Sequence, residues 1–300
     1  MCLACLTTSK RAYITTWETK DKKPIPAYQK LPYIVSGYRV HYTRFWDCLM
    51  SMFQWHNETV NVWTAFLPLL FFIWQTAQVY LHYYGLEFKE KLILTIYCLS
   101  ACSSFLTSSV FHLFNCMGES VALFTLRLDM LGIAFLIGGS YLPALYYAFY
   151  CDASVCRIYT SIISVLTLCA SIMFAIPKFA NGFRWFRIMT FAGIAAFGVV
   201  VVTHVLSIRG DEPGIVRQIN LIFLMYGMYG AGVVFYATLV PEAYAPVGSM
   251  DLIVHSHNIW HLFVFLGAFV HNWNIFEMIE SGPKCALDAS LVGQAAGILG

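Results

Sequence analysis

The chain reads as an all-α integral membrane protein, a seven-transmembrane helical bundle with an interfacial amphipathic helix before the first span. Three observations carry that reading. Only 11% of the 300 residues are charged and 59% are hydrophobic, whereas a soluble domain is about a quarter charged. Apolar stretches recur at about 20 residues, the length at which a helix crosses the hydrocarbon core. They run on without the strict alternation expected of lipid-embedded barrel strands of ~9–11 residues. A helix bonds each backbone group within its own segment, as lipid requires. The 17% aromatic content suits many water–lipid boundaries, where Trp and Tyr collect. The same composition excludes a soluble enzyme, a disordered regulator and a nucleic-acid binder, which needs a strongly basic face. A net charge of +2 supplies none.

In chain order, residues 1–42 read as a cytosolic N-terminal segment. Its opening MCLACLTTSKR is too short an apolar stretch for a signal-peptide core. Cys2 and Cys5 have C-x-x-C spacing but no second pair follows, which argues against zinc there; palmitoylation is the weaker alternative. Residues 43–59 are predicted to form the interfacial helix, because Phe45, Trp46, Leu49, Met52 and Phe53 recur at helical spacing. An early start to the first span is the alternative; Asp47 and Glu58 argue against it, since charge at depth is costly. A seven-span domain covers 60–275, with spans at 60–83, 91–113, 125–149, 156–176, 188–207, 218–240 and 251–275. Residues 276–300 are expected to be an extracytoplasmic tail.

Charge chooses the orientation. With the N-terminus inside, Lys10, Arg11, Lys20, Lys22, Lys23, Lys30, Arg39, Arg44, Arg127, Lys178, Arg184 and Arg187 face the cytosol, twelve of the 18 basic residues. Eight of the twelve lie before the first span. Cys151 and Cys156 then share an outer loop, where a disulfide can form. Cys98, Cys102 and Cys169 lie within spans and read as small apolar residues.

Polar residues at depth usually face a cavity and mark function. His257 and His261 in HSHNIWH are one helical turn apart on the same face. That spacing lets two imidazoles share one metal ion. Ser108 and His112 in SSVFH are also one turn apart. A lone membrane histidine is more often a hydrogen-bonding group between helices. Asp129 follows Arg127 by two residues, and an interfacial ion pair is the bland reading. Depth brings the groups together. His112 ends the second span, Asp129 lies near the start of the third, and His257 and His261 open the seventh, all in the inner leaflet. Three histidines with one open position match a catalytic-type zinc site, with Asp129 hydrogen-bonding next to it. The all-imidazole set and the ready availability of zinc favour it over copper. Met225, Tyr226 and Tyr229 read as packing, and Gly227, Gly230 and Gly232 as points of close helix approach.

The ordered motifs SGYR (36–39), HNETVNVWT (56–64), SSVFH (108–112), LDMLGIAFLIGGSYLPALYYAFY from Leu128, VPEAYAP, and SHNIWH (256–261) together resemble the progestin and adipoQ receptor (PAQR) family. That family is distantly similar to haemolysin-III-like proteins and alkaline ceramidases. The resemblance covers residues 33 to 275. It implies seven helices, a cytosolic N-terminus and a zinc ion near the cytosolic face. His112, His257 and His261 would be its ligands, Ser108 and Asp129 the associated polar pair, and Glu58 and Asn61 a helix-packing signature. Where the family often has Trp-Thr-His, this chain has Trp63-Thr64-Ala65. HNE and GYR lean to the progestin branch, while AFVH at 268–271 leans to the adiponectin branch.

Two functional classes follow from the resemblance. One is a plasma-membrane receptor for a steroid or adipokine-like ligand. The other is a zinc-dependent hydrolase of a ceramide-like amide, with Asp129 as base and Ser108 as donor to the oxyanion. A membrane-homeostasis regulator without direct ligand is a weaker third. The expected partners are the lipid bilayer and one of these ligands, with homo-oligomerisation left open.

Overall fold

A computed structural model describes residues 24–282 except Tyr84, Phe183 and Pro213. Among them every regular element is a helix. A short helix α1 (Phe45–Met50) precedes α2 (Thr59–Leu81), α3 (Phe88–Phe114), α4 (Glu119–Ala148), α5 (Ala153–Ala175), the one-turn α6 (Pro177–Ala180), α7 (Arg184–Arg209), α8 (Ile215–Thr238) and α9 (Ser256–Ser281). All but α1 and α6 are long and apolar enough to cross a membrane, so the protein is a multi-pass membrane protein with the seven spans predicted.

The packing follows side-chain size. The helix pairs α2–α3, α3–α4 and α8–α9 run side by side, and α4 also meets α5, α7 and α9. A Cβ on Gly132 of α4 would lie 2.8 Å from Ser104 Cα of α3, and one on Gly267 of α9 would lie 2.8 Å from the Tyr229 ring of α8. Missing side chains at these crossings let the helices approach, the usual device where lipid removes the hydrophobic drive. Of the three glycines expected at close approaches, Gly232 meets Trp260 and Phe263, but Gly227 and Gly230 face open space. Tyr226 and Tyr229 do pack: Tyr226 Oη donates to Ala195 O at 2.8 Å.

Several sequence-based boundaries shift. The interfacial element is shorter than 43–59: α1 gives way at Ser51 to a 3₁₀ turn, Ser51–Phe53. Cys48 and Met52 of this stretch are buried, while Phe45, Trp46 and Phe53 stay exposed. It is therefore anchored by part of its apolar side only. The seventh span starts at Ser256 rather than 251 and runs to Ser281, past the expected end at 275. The chain before it cannot be helical, because Asp251 is drawn to the N-terminal segment, accepting from Ser36 Oγ at 2.6 Å and Val35 N at 3.2 Å. Cys151 is disulfide-bonded but Cys156 is a free thiol, so the two do not pair; the partner of Cys151 lies outside the described residues. Cys2, Cys5, most of the 1–42 segment and the tail beyond Gly282 also lie outside them. Cys48 Sγ lies 3.5 Å from Cys116 Sγ. That hydrogen bond and burial push the Cys48 thiol up from its usual range, which keeps it protonated and unreactive.

Candidate metal centre

Helix direction alternates along the chain, so the N-termini of α2, α4 and α9 and the C-terminus of α3 share one end of the bundle. Three histidines meet there. His112 lies in the last turn of α3, and His257 and His261 lie in the first two turns of α9. His112 Nε2 lies 3.2 Å from His257 Nε2 and 3.1 Å from His261 Nε2. One ring nitrogen from each residue falls within 4.8 Å of the others. Ligand nitrogens held at ~2.0–2.1 Å around a tetrahedral zinc stand about 3.3 Å apart, so two of the three spacings already have that size. His112 and His261 are 2% and 7% exposed. Three imidazole nitrogens turned on one buried point make a donor set for a cation.

Glu58 decides how His112 presents itself. Its Oε2 lies 2.8 Å from His112 Nδ1. A carboxylate on Nδ1 fixes the N–H there and leaves the Nε2 lone pair for the shared point. Burial alone would push the Glu58 carboxyl up, but the hydrogen bonds from His112 and Asn61 and the nearby Arg39 guanidinium outweigh it and hold the group well below the usual range. The carboxylate also accepts from Asn61 Nδ2 at 2.6 Å and Asn115 Nδ2 at 3.0 Å. Asn258 Nδ2 donates to Asn61 Oδ1 at 2.6 Å, which extends the network to α9. The resemblance assigned Glu58 and Asn61 to helix packing; the structure places Glu58 directly on a histidine of the triad. The sequence did hold a signal, since a carboxylate one residue before an apolar span needs a buried partner.

Two motifs act at helix ends. Arg39 of SGYR is buried and donates to the last carbonyls of α3, with Nη2 to His112 O at 2.6 Å and Nη1 to Leu113 O at 2.6 Å. It also reaches Ser51 Oγ and Asn115 Oδ1. A cation at a helix C-terminus satisfies orphan carbonyls and meets the negative end of the dipole. The turn that brings Arg39 inward needs Gly37, whose φ is +78° and whose carbonyl accepts from Asn57 N at 2.9 Å. Glu242 of VPEAYAP caps α9: it accepts from Ser256 N at 2.7 Å and from Ser256 Oγ. An acid at a helix N-terminus meets the positive end, and this one sits one residue before His257.

Ser108 and Asp129 also meet. Ser108 and His112 are neighbours of the Asp129 carboxylate, and Arg187 is the cation near it. The bland alternative, an interfacial ion pair with a neighbouring arginine, is not formed with Arg127. Arg127 turns to Leu123 O at 3.3 Å and lies over the Phe124 ring. Arg187 and Tyr236 were not legible in the sequence. Tyr236 of α8 lies 5.6 Å from the His257 ring, centroid to centroid, and Arg187 Nη2 donates to its hydroxyl at 3.4 Å. His255 is turned to Asn57 O, at 3.3 Å.

The fold and the site define a class: a seven-span membrane protein whose second and seventh spans bring together three histidines, two of them buried, that could hold a metal ion. The family model described as haemolysin-III related matches residues 53–272, and the chain belongs to that family, among its progestin and adipoQ receptor-like members. It is similar to heptahelical transmembrane protein 3 of Arabidopsis thaliana, 29% identical over 89% of this chain and 92% of the relative. It is similar to progestin and adipoQ receptor-like protein 1 of Caenorhabditis elegans, 29% identical over 89% of this chain and 62% of the relative. It is also similar to the adiponectin receptor protein of Drosophila melanogaster, 30% identical over 90% of this chain and 61% of the relative.

Proposed function

We propose that this protein is a plasma-membrane receptor with an intramembrane zinc centre, its N-terminus in the cytosol, answering a steroid or adipokine-like ligand. The convergence of His112, His257 and His261 Nε2 on one buried point carries the zinc assignment. The receptor assignment rests on relatives whose names speak of progestin, adipoQ and adiponectin receptors. Orientation draws support from the bias of basic residues and from Cys151. Its loop joins α4 to α5 at the end opposite the histidines, and its disulfide belongs on the oxidising side of a membrane.

A second reading has its own observation, the placement of Ser108 and buried Asp129 beside His112. A zinc ion supplies Lewis-acid activation of water and of an acyl carbonyl when bound. In a ceramide-like amide hydrolase Asp129 would take the proton from the attacking water and return it to the amine nitrogen as the C–N bond breaks, while Ser108 would donate to the carbonyl oxygen.

Zinc content and ceramide hydrolysis, measured on purified wild type and His257→Ala, separate the readings. We expect about one zinc per chain in the wild type and a loss in the variant. Release of sphingoid base that disappears with the metal makes the protein a hydrolase. One zinc without turnover leaves the receptor with a structural ion. A folded wild type without zinc overturns the metal assignment.

A further inference from the structure

At the end of the bundle opposite the histidines, α2 and α9 part to leave a cleft of about 590 Å³. That lies within the size range of small-ligand sites, ~300–1,000 Å³. Phe71 and Phe269 stand at its inner end, 5.7 Å apart, and Tyr83 stacks on Phe276 at 5.0 Å at the other. Trp74 and Trp273 flank it and are 54% and 47% exposed toward the bilayer. Gln75 and Asn272 also line it. Both are more than nine-tenths buried, at 6% and 4% exposure. Neither side-chain amide has a hydrogen-bond partner among the described residues.

Two partnerless amides within a bilayer are costly unless something completes them. At 1.5 Å per residue, Asn272 lies about 16 Å along α9 from His261, so the cleft serves the other leaflet. Among the described residues no carboxylate, lysine or arginine lines it, and its one imidazole, His82, is exposed. Each amide offers both a donor and an acceptor, and a hydroxyl offers the same pair. The aromatic walls suit an apolar body. We infer that the cleft between α2 and α9 binds an uncharged, hydroxyl-bearing membrane lipid, whose hydroxyl hydrogen-bonds Gln75 and Asn272 and whose hydrocarbon lies against Phe71, Trp74, Phe269 and Trp273. Two lipid sources share that chemistry, a sterol and a diacylglycerol. The site is independent of the metal centre.

The test is photolabelling of the full chain in lipid nanodiscs. The probes are a diazirine- and alkyne-bearing cholesterol and a diacylglycerol carrying the same groups, with labelled peptides identified by mass spectrometry. We expect saturable labelling within 71–83 and 269–276 by at least one probe, competed by the same unlabelled lipid and not by phosphatidic acid. Whichever probe labels names the source. Gln75→Leu combined with Asn272→Leu should lower the saturable fraction at least tenfold while zinc content stays that of the wild type. His257→Ala, which disrupts the metal centre, should leave the labelling in place, so the two assignments fail separately. Labelling that does not saturate, that falls on other helices, or that persists in the double variant overturns the site. Equal competition by phosphatidic acid overturns the uncharged lipid. If the double variant does not fold, mapping and competition on the wild type decide alone.

Discussion

The two ends of α9 carry polar side chains under opposite conditions. At the histidine end Asn258 reaches Asn61, Glu58 takes three side-chain donors, and Glu242 caps Ser256. At the other end Asn272 faces Gln75 across a cleft, and neither amide has a partner among the described residues. Both ends lie within a membrane-spanning helix, where an unmet polar group costs several kcal/mol. The difference teaches that burial of polarity has two meanings here. A linked network holds a centre in shape, even with Asn57 Nδ2 and Asn258 Oδ1 left unmet within it, and an open pair is completed by something outside the chain.

The contrast can be broken by substitution. The largest effect belongs to Arg39. Arg39→Met removes the cation from the end of α3 and strands buried carbonyls, and should cost about 3 kcal/mol. Thermal unfolding in detergent should show a clearly lowered midpoint; an unchanged midpoint would mean that the network adds nothing to stability. Next is Glu58→Gln. The variant keeps the shape but no longer holds the His112 tautomer as a carboxylate does. Zinc affinity should fall 10–100-fold, the usual cost of losing such a partner, with the fold retained in circular dichroism. Affinity equal to wild type would reduce Glu58 to a packing residue. The smallest effect is expected at the open end. Gln75→Leu and Asn272→Leu, taken singly, should change stability by less than about 0.5 kcal/mol or raise it, since an amide without partners loses nothing by becoming apolar. A large loss at either position would show that the two ends are alike.

The seven spans were legible because lipid leaves so few solutions: runs of about 20 apolar residues separated by charged or Gly-containing turns admit little else. The triad was legible for a related reason. His112, His257 and His261 are polar at depth, and alternating helix direction puts them in one leaflet. The residues around them were harder to read, because their partners are far away in sequence. Arg39 meets the backbone of His112 across 73 positions and Asn258 meets Asn61 across 197. No periodicity encodes such contacts. The start of the seventh span was misplaced because 251–255 is apolar enough to pass for helix, while the bonds from Ser36 and Val35 to Asp251 that forbid it lie over two hundred residues away. Gly227 and Gly230 looked like helix contacts because a glycine in a span usually is one; here they face open space. The cleft at Gln75 and Asn272 left no pattern at all, because it depends on what those amides fail to meet.

His112 is gripped twice, at its ring by Glu58 and at its backbone by Arg39. A side chain fixed at both ends has little freedom left to lose when it takes up an ion. It also has little freedom to adjust. A platform of three nitrogens that cannot relax selects by coordination geometry, admitting ions content with a small, four-cornered shell and turning away those that demand six oxygen ligands. On the metal reading proposed above, the grip on one helix terminus would double as a filter for which ion the triad accepts.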